Sequence, residues 1–164
     1  MSYFSDLSPY EYIPGYFPVS DDKLDRQVLN IGWLDKHFLF TKGSTDHAFH
    51  KRLFDFCQYR INQTRGFYGC EFCGKKIKSD VPGISSCETR VFEPNGIAYA
   101  SPEIICHYVV AHHYRPPDVF INAVMNGPQP FTETYEKLLI EYGYFYSGHH
   151  FNLNRRPYPA SLLD

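Results

Sequence analysis

The chain has no excess of basic charge. Its 16 Lys and Arg stand against 18 Asp and Glu, a formal net charge of −2, which withholds the pull that nucleic-acid backbones and anionic membrane surfaces exert on a partner. No apolar run approaches the roughly 18–20 residues of a membrane span. The first residues, "MSYFSDLSPYEY", carry neither a basic flank nor a hydrophobic stretch, so no secretory leader is read there and a cytoplasmic, reducing setting is expected. An odd number of cysteines, five, speaks against a disulfide framework. Gly-rich phosphate loop, G-x-S-x-G elbow and dinucleotide fingerprint are all missing, which removes the commonest signals of nucleotide binding and serine hydrolysis. Tryptophan is reduced to Trp33 alone, and no internal repeat occurs.

Aromatics are abundant: 14 Tyr and 14 Phe in 164 residues, within a hydrophobic share of 43% that suffices for one core. Twelve prolines and 11 glycines imply many turns and short helices. The expected fold is a small single α+β domain with a zinc knuckle, a β-hairpin and several short helices. Residues 1–29 read as an irregular arm rich in aromatics and proline, 30–146 as the zinc-braced domain, and 147–164 as a tail without periodicity. "DDKLDRQVLNIGWL" reads as a short amphipathic turn leading into an extended segment. Behind the cap cluster "TKGSTDH", Phe49, Leu53, Phe56 and Cys57 recur at helical spacing. "CETRVFE" and "GIAYAS" alternate on either side of "PNG", a hairpin signal. In "SPEIICHYVVAHHYRPPD", Ser101 reads as the N-cap of a helix with Pro102 in its first turn, ending before the prolines. "DVFINAVMNGP" and "TETYEKLLIEYGY" read as two further helices, the second capped by Thr132 with Tyr135, Leu138, Leu139 and Tyr142 inward.

The chemistry concentrates in "YGCEFCGKKIK" (68–78). Cys70 and Cys73 have the C-x-x-C spacing that lets two thiolates converge from one turn, Gly74 permits the positive φ such turns use, and Lys75 and Lys76 add charge that favours thiolates. The complementary pair is expected on the later helix. His107 to His112 is H-x4-H, within the spacing of zinc-binding helices, although ~100° per residue sets the two about 140° apart and asks the last turn to adjust. His112 shares a stripe with Ile105, Tyr108 and Val109, whereas His113 falls nearer the polar side. The expected ligands of a structural zinc are therefore Cys70, Cys73, His107 and His112, in an elaborated Cys2His2 finger-like core. Thirty-three residues between Cys73 and His107 exceed the ~12 of a DNA-reading finger. Against this stand a redox C-x-x-C, which wants a βαβ context that the pattern does not offer, and three histidines that are ordinary helix residues beside two reduced thiols. Cys57, Cys87 and Cys106 read as small hydrophobes. His47 and His50 read as surface residues, and His149 and His150 as a solvated tail pair.

"NIGWL", "NQTRGFYGCEFC", "TRVF" and "YASPEIICHYVVAHHYRPPDVFINAV" together resemble a pattern in small uncharacterised bacterial proteins, C-x-x-C followed by H-Y-V-x-x-H-x-Y-x-P-P, over about residues 30–124. The resemblance implies the two cysteines, His107 and His112 as matched positions. It implies no activity.

An HNH-type nuclease is the enzymatic alternative, with His113 as base, Asn122 as its orienting residue and Glu103 or Asp118 on a catalytic metal. Another zinc hydrolase would need an open metal position with Glu71 or Glu103 as base. The acidic balance opposes a nucleic-acid substrate. Arg65 beside the knuckle, with Lys75 and Lys76, is a candidate binding group. The favoured expectation is a zinc-stabilised protein-binding module, not an enzyme, an accessory or immunity-type protein of a bacterial system that presents tyrosine-rich clusters such as "PYEYIPGYF" and "EYGYFYSGHHF" to a protein partner.

Overall fold

The computed structural model describes residues 2–12, 27–73, 80–143 and 156–162. Gly74, Lys75, Lys76, His149, His150, Arg155 and the turn expected over 21–26 lie outside them. The class is α+β. In chain order come β1 (Gln27–Asn30), α1 (His47–Gln58), β2 (Tyr68–Gly69), β3 (Ile84–Ser85), β4 (Glu88–Phe92), β5 (Ile97–Pro102), α2 (Ile105–His112), α3 (Asp118–Asn126), α4 (Glu133–Glu141) and a 3-10 turn (Ala160–Leu162).

The alternating segments form the expected hairpin, β4 antiparallel to β5 from Phe92↔Ala98 to Glu88↔Pro102. Pro94 and Asn95 make its turn, and Gly96 at φ 90° supplies the left-handed residue that closes it. Every residue of β4 is buried, because α1 and α3 pack against it and Tyr10 lies over Arg90. One feature differs from the sequence reading. Ser101 and Pro102 do not start a helix. They pair with Thr89 and Glu88 at the end of β5, and α2 opens at Ile105 with Ile104 as its uncapped N-terminus. A cross-strand ladder outweighs a local cap signal here, and Pro102 needs no donor at a strand end.

β5 is the central strand, since β1 pairs with its other edge in parallel, Gln27↔Ile97 through Asn30↔Ala100. Residues 2–10 run along β1: the Leu7 and Tyr10 amides donate to the Asn30 and Val28 carbonyls at 2.7 and 2.9 Å, and the Asn30 amide donates to Ser8 at 2.8 Å. Phe4 and Tyr12 pack their rings on Trp33. Asp46 caps α1 by accepting from the Ala48 amide, and Phe49, Leu53, Phe56 and Cys57 are buried as their spacing requires. His47 and His50 are half-buried instead of surface residues, because Tyr158 packs on His47 and Thr45 holds His50 Nε2 at 2.7 Å. Thr132 caps α4, with Tyr135, Leu139 and Tyr142 buried.

The link from β1 into the core passes through Gly32 at φ 73°, whose amide donates to Asp6 Oδ1 at 2.8 Å. A Cβ there would meet Ile105 Cδ1 at 2.7 Å. Gly32→Ala is expected to cost about 2–4 kcal/mol from left-handed strain plus overpacking, seen as a lower melting temperature. A melt matching wild type would contradict that packing.

Candidate metal centre

Cys70 follows β2, and Cys73 lies three residues on. The two-stranded ribbon β2–β3 pairs Tyr68 with Ser85 and Gly69 with Ile84, and the Cys70 amide donates to the Gly83 carbonyl at 2.8 Å. That bond fixes the knuckle against the 81–83 segment. Opposite stands α2, which carries His107 in its first turn and ends on His112.

One sulfur or nitrogen from each of Cys70, Cys73, His107 and His112 lies within 4.8 Å of all the others. His107 Nε2 is 3.1 Å from Cys73 Sγ, and His112 Nε2 is 3.2 Å from both sulfurs. The rings approach to 5.1 Å between centroids, so the five-residue spacing is accommodated at the helix end. There His113 turns left-handed at φ 56° and the Tyr114 amide reaches back to the Tyr108 carbonyl at 3.1 Å.

Tautomer and protonation favour metal binding. His107 Nδ1 is 3.0 Å from the Val81 carbonyl; a carbonyl only accepts, so Nδ1 carries the hydrogen and Nε2 presents a lone pair to the sulfurs. Burial lowers the pKa of His107, and burial followed by the His107 charge lowers that of His112, so both imidazoles are neutral donors at pH 7. The Cys73 thiol moves the other way. Burial, then Cys70, pushes it up to about 11, against the expectation of a lowered value; that expectation rested on Lys75 and Lys76, outside the described residues. A bound cation would reverse the balance, since it draws the proton off a thiol. Metal–sulfur and metal–nitrogen bonds of about 2.3 and 2.0 Å at tetrahedral angles set ligand atoms about 3.5 Å apart. Three sulfur–nitrogen separations, at 3.1–3.2 Å, sit a few tenths of an ångström inside that spacing, and all four donors lie within 4.8 Å of one another, so the set fits such an ion after slight adjustment.

The surrounding shell is apolar. Phe72 packs on His112 and Tyr108, and Phe40 packs on Phe72. Gly83 is the tight point, where a Cβ would meet His107 Cε1 at 3.1 Å and Nε2 at 3.2 Å. Gly83→Ala is expected to push the His107 ring off line and weaken metal retention about 10-fold or more, as disturbed supporting contacts do. A competition titration against a chelator measures it; an unchanged affinity would show that the ring has room.

Among the described residues no second group of three or more metal-type donors converges. His113 is exposed at the helix end and Asn122 is exposed on α3. Asp118 is paired with Arg115 at 2.7 Å, and Glu103 is held by Arg60 at 3.3 Å and by the Cys87 thiol at 3.2 Å. Arg65 and Glu71 are exposed. A buried ion pair, Arg90 Nη2 to Glu88 Oε2 at 2.7 Å, escapes sequence reading altogether, because i and i+2 charges on a strand ordinarily signal a wet face. No helix among the described residues is long and apolar enough to cross a membrane.

No curated protein and no solved structure matches the chain. A family model does, over residues 2–125, which takes in β1, the knuckle, the hairpin and α2. The chain belongs to the family described as Domain of unknown function (DUF7919).

Proposed function

We propose that Cys70, Cys73, His107 and His112 hold a structural zinc ion and that the domain is a binding module for a protein partner. The observation that carries the metal reading is the closed set of two thiols and two imidazoles, which leaves a tetrahedral ion no open position for water or substrate. Zinc suits the mixed sulfur and imidazole donors, whereas hard cations prefer oxygen.

The binding reading rests on what the ribbon displays. Phe67 is 79% exposed and Ile84 51% exposed. Ile84 pairs with Gly69, so continuing the alternation by one residue sets Phe67 on the same face. A Cβ on Gly69 would meet nothing, which keeps that face open, and Arg65 stands exposed beside it. Exposed apolar side chains on a rigid, metal-tethered ribbon are features of partner recognition. Tyrosine content contributes less than its number suggests, because Tyr59, Tyr99, Tyr108, Tyr114, Tyr135 and Tyr142 are all buried. The setting we infer is cytoplasmic, with the partner belonging to the same bacterial accessory or immunity-type system.

Elemental analysis of purified protein is expected to give one zinc per chain. Cross-linking in cells is expected to capture a partner that Phe67→Ser with Ile84→Ser loses while zinc and melting temperature hold. Absence of stoichiometric metal would remove the first reading, and identical cross-links from the double variant the second. Plasmid DNA with magnesium, manganese or zinc is expected to stay intact. Nicking abolished by His113→Ala in a folded protein would instead establish the nuclease.

A further inference from the structure

A cavity of about 290 Å³ lies between the end of α1, the 80–84 segment, the start of α2 and residues 156–159, close to the lower end of the ~300–1,000 Å³ of ligand pockets. Its floor is the core itself, since Phe54, Cys57, Val81 and Cys106 are buried. Its outer wall is the C-terminal segment, which is fastened on both sides. The Arg156 amide donates to Gln58 Oε1, the Ser161 hydroxyl donates to Asp80, and the Tyr158 ring packs on Phe54 and His47. Close-packed interiors hold few voids larger than a water molecule, so a hollow of this size between fastened segments is not ordinary packing.

The polar lining is unbalanced in one direction. Pro82, Pro157 and Pro159 bring no amide hydrogen. Asp80 accepts from Ser161, and Glu103 accepts from Arg60 Nη2 at 3.3 Å, the Cys87 thiol at 3.2 Å and the Ser86 amide at 3.5 Å. Gln58 Oε1 is taken by the Arg156 amide, and Gln58 Nε2 donates to Asp55 at 3.4 Å. The Arg156 guanidinium has no partner among the described residues, and Arg60 brings its fork of donor hydrogens to a single ion pair. Both acids are therefore answered, and the donors left over belong to guanidiniums. The missing acceptor is an anion.

We propose that this cavity binds a small organic acid, with its carboxylate on Arg156 and Arg60 and its apolar body on Phe54, Val81 and the two cysteines. A guanidinium takes a carboxylate through two parallel hydrogen bonds, and buried cysteines act as small apolar surface. A cavity of ~150 Å³ suffices for benzene, so an arylacetate or a six-carbon acid matches the space.

The test is a titration of the isotope-labelled chain, as purified with its metal, with phenylacetate and with hexanoate, followed by amide NMR. Each acid is run beside its neutral amide and its matching amine, with acetate and inorganic phosphate as anions that lack the apolar body. Expected are saturable shifts of the Cys57, Val81 and Cys106 amides with at least one acid. That acid should bind about 10-fold tighter than its amide, the worth of one hydrogen bond to a charged group. Arg156→Gln, at an exposed position, is expected to weaken the acid by about 10-fold as well and to leave the melt unchanged. No saturable shift with either acid, an amide or amine that binds as well, acetate or phosphate that binds as tightly, or an unchanged affinity in Arg156→Gln would each overturn the assignment. Metal is counted before and after, because the Val81 carbonyl also holds His107 Nδ1; shifts that appear only as metal leaves would overturn it too. Titration of the unaltered chain decides the ligand class even where the variant does not fold. The site uses none of the four candidate metal ligands and not Phe67, so it fails or survives independently of the proposed function.

Discussion

Cys73→Ser is expected to abolish zinc retention and lower the melting temperature by more than 10 °C. The ribbon is the reason. It has two paired residues on each strand, far below what an isolated hairpin needs to persist in water, and the knuckle is tied to α2 through side chains, at Cys70, Cys73, His107 and His112. Without the ion, the completely buried His107 faces a Cys73 thiol that binds its proton, and the 81–83 segment loses the partner that orders it. Structural zinc contributes on the order of 10 kcal/mol to small metal-dependent domains. The packed sheet and α1 here carry part of the load, so about 5 kcal/mol is the expected loss, and each kcal/mol moves a domain of this size by about 2–4 °C. A chelator melt of the unaltered protein should reproduce the shift. Trp33 offers a local probe, since it lines the same hollow as Tyr68 and Ser85, and its emission should change as the ribbon detaches. His113→Ala, one residue past the helix, is expected to leave metal content and melt unchanged. Equal melting of Cys73→Ser and wild type, with and without chelator, would show that the four side chains meet by packing alone.

The convergence of Cys70, Cys73, His107 and His112 was legible because it is written in short spacings: C-x-x-C converges within one turn, and His112 falls on the apolar stripe of α2. The hairpin was legible from Asn95-Gly96, and α1, α3 and α4 from their periodicity and, for α1 and α4, their caps. Pairings between distant segments were not. Nothing near Gln27–Asn30 announces a parallel partner at Ile97–Ala100, and that partnership draws β5 on through Ser101 and Pro102, past the cap signal read there. Aromatic content misled for a related reason. Composition counts tyrosines without saying where their hydroxyls go, and several find acceptors inside: Tyr135 donates to the Arg90 carbonyl at 2.6 Å and Tyr114 to Asp6 Oδ2 at 2.8 Å. A tyrosine with such a partner is core material. The surface we propose for a partner rests instead on Phe67 and Ile84, which single-residue properties do not distinguish from other exposed apolar residues such as Leu39.

Glu88→Ala is expected to destabilise the domain by about 3–5 kcal/mol, or roughly 10–15 °C, the cost of leaving a buried charge without its counter-ion. Arg90 is completely buried and Glu88 is 3% exposed. The carboxylate takes the guanidinium at 2.7 Å, the Tyr10 hydroxyl at 2.9 and 2.7 Å on its two oxygens, and Asn62 Nδ2 at 3.3 Å. The Tyr10 ring lies 4.7 Å from the guanidinium carbon, so one residue of the N-terminal segment contacts both charges and closes the site over them. Removing the acid leaves Arg90 the Thr89 carbonyl at 3.0 Å and the Tyr10 ring face in place of a full negative charge. Tyr10→Phe keeps the ring and loses the hydroxyl, and is expected to cost only about 1–2 kcal/mol. Replacing both charges, Glu88→Met with Arg90→Met, should recover most of the loss, because an apolar pair of similar volume avoids the desolvation cost altogether. Denaturant melts of Glu88→Met, Arg90→Met and their double variant complete the cycle, with a coupling of several kcal/mol expected. If Glu88→Ala fell within about 1 kcal/mol of wild type, water would have to reach Arg90, and residues 2–10 would not be sealing the sheet as their hydrogen bonds to β1 indicate.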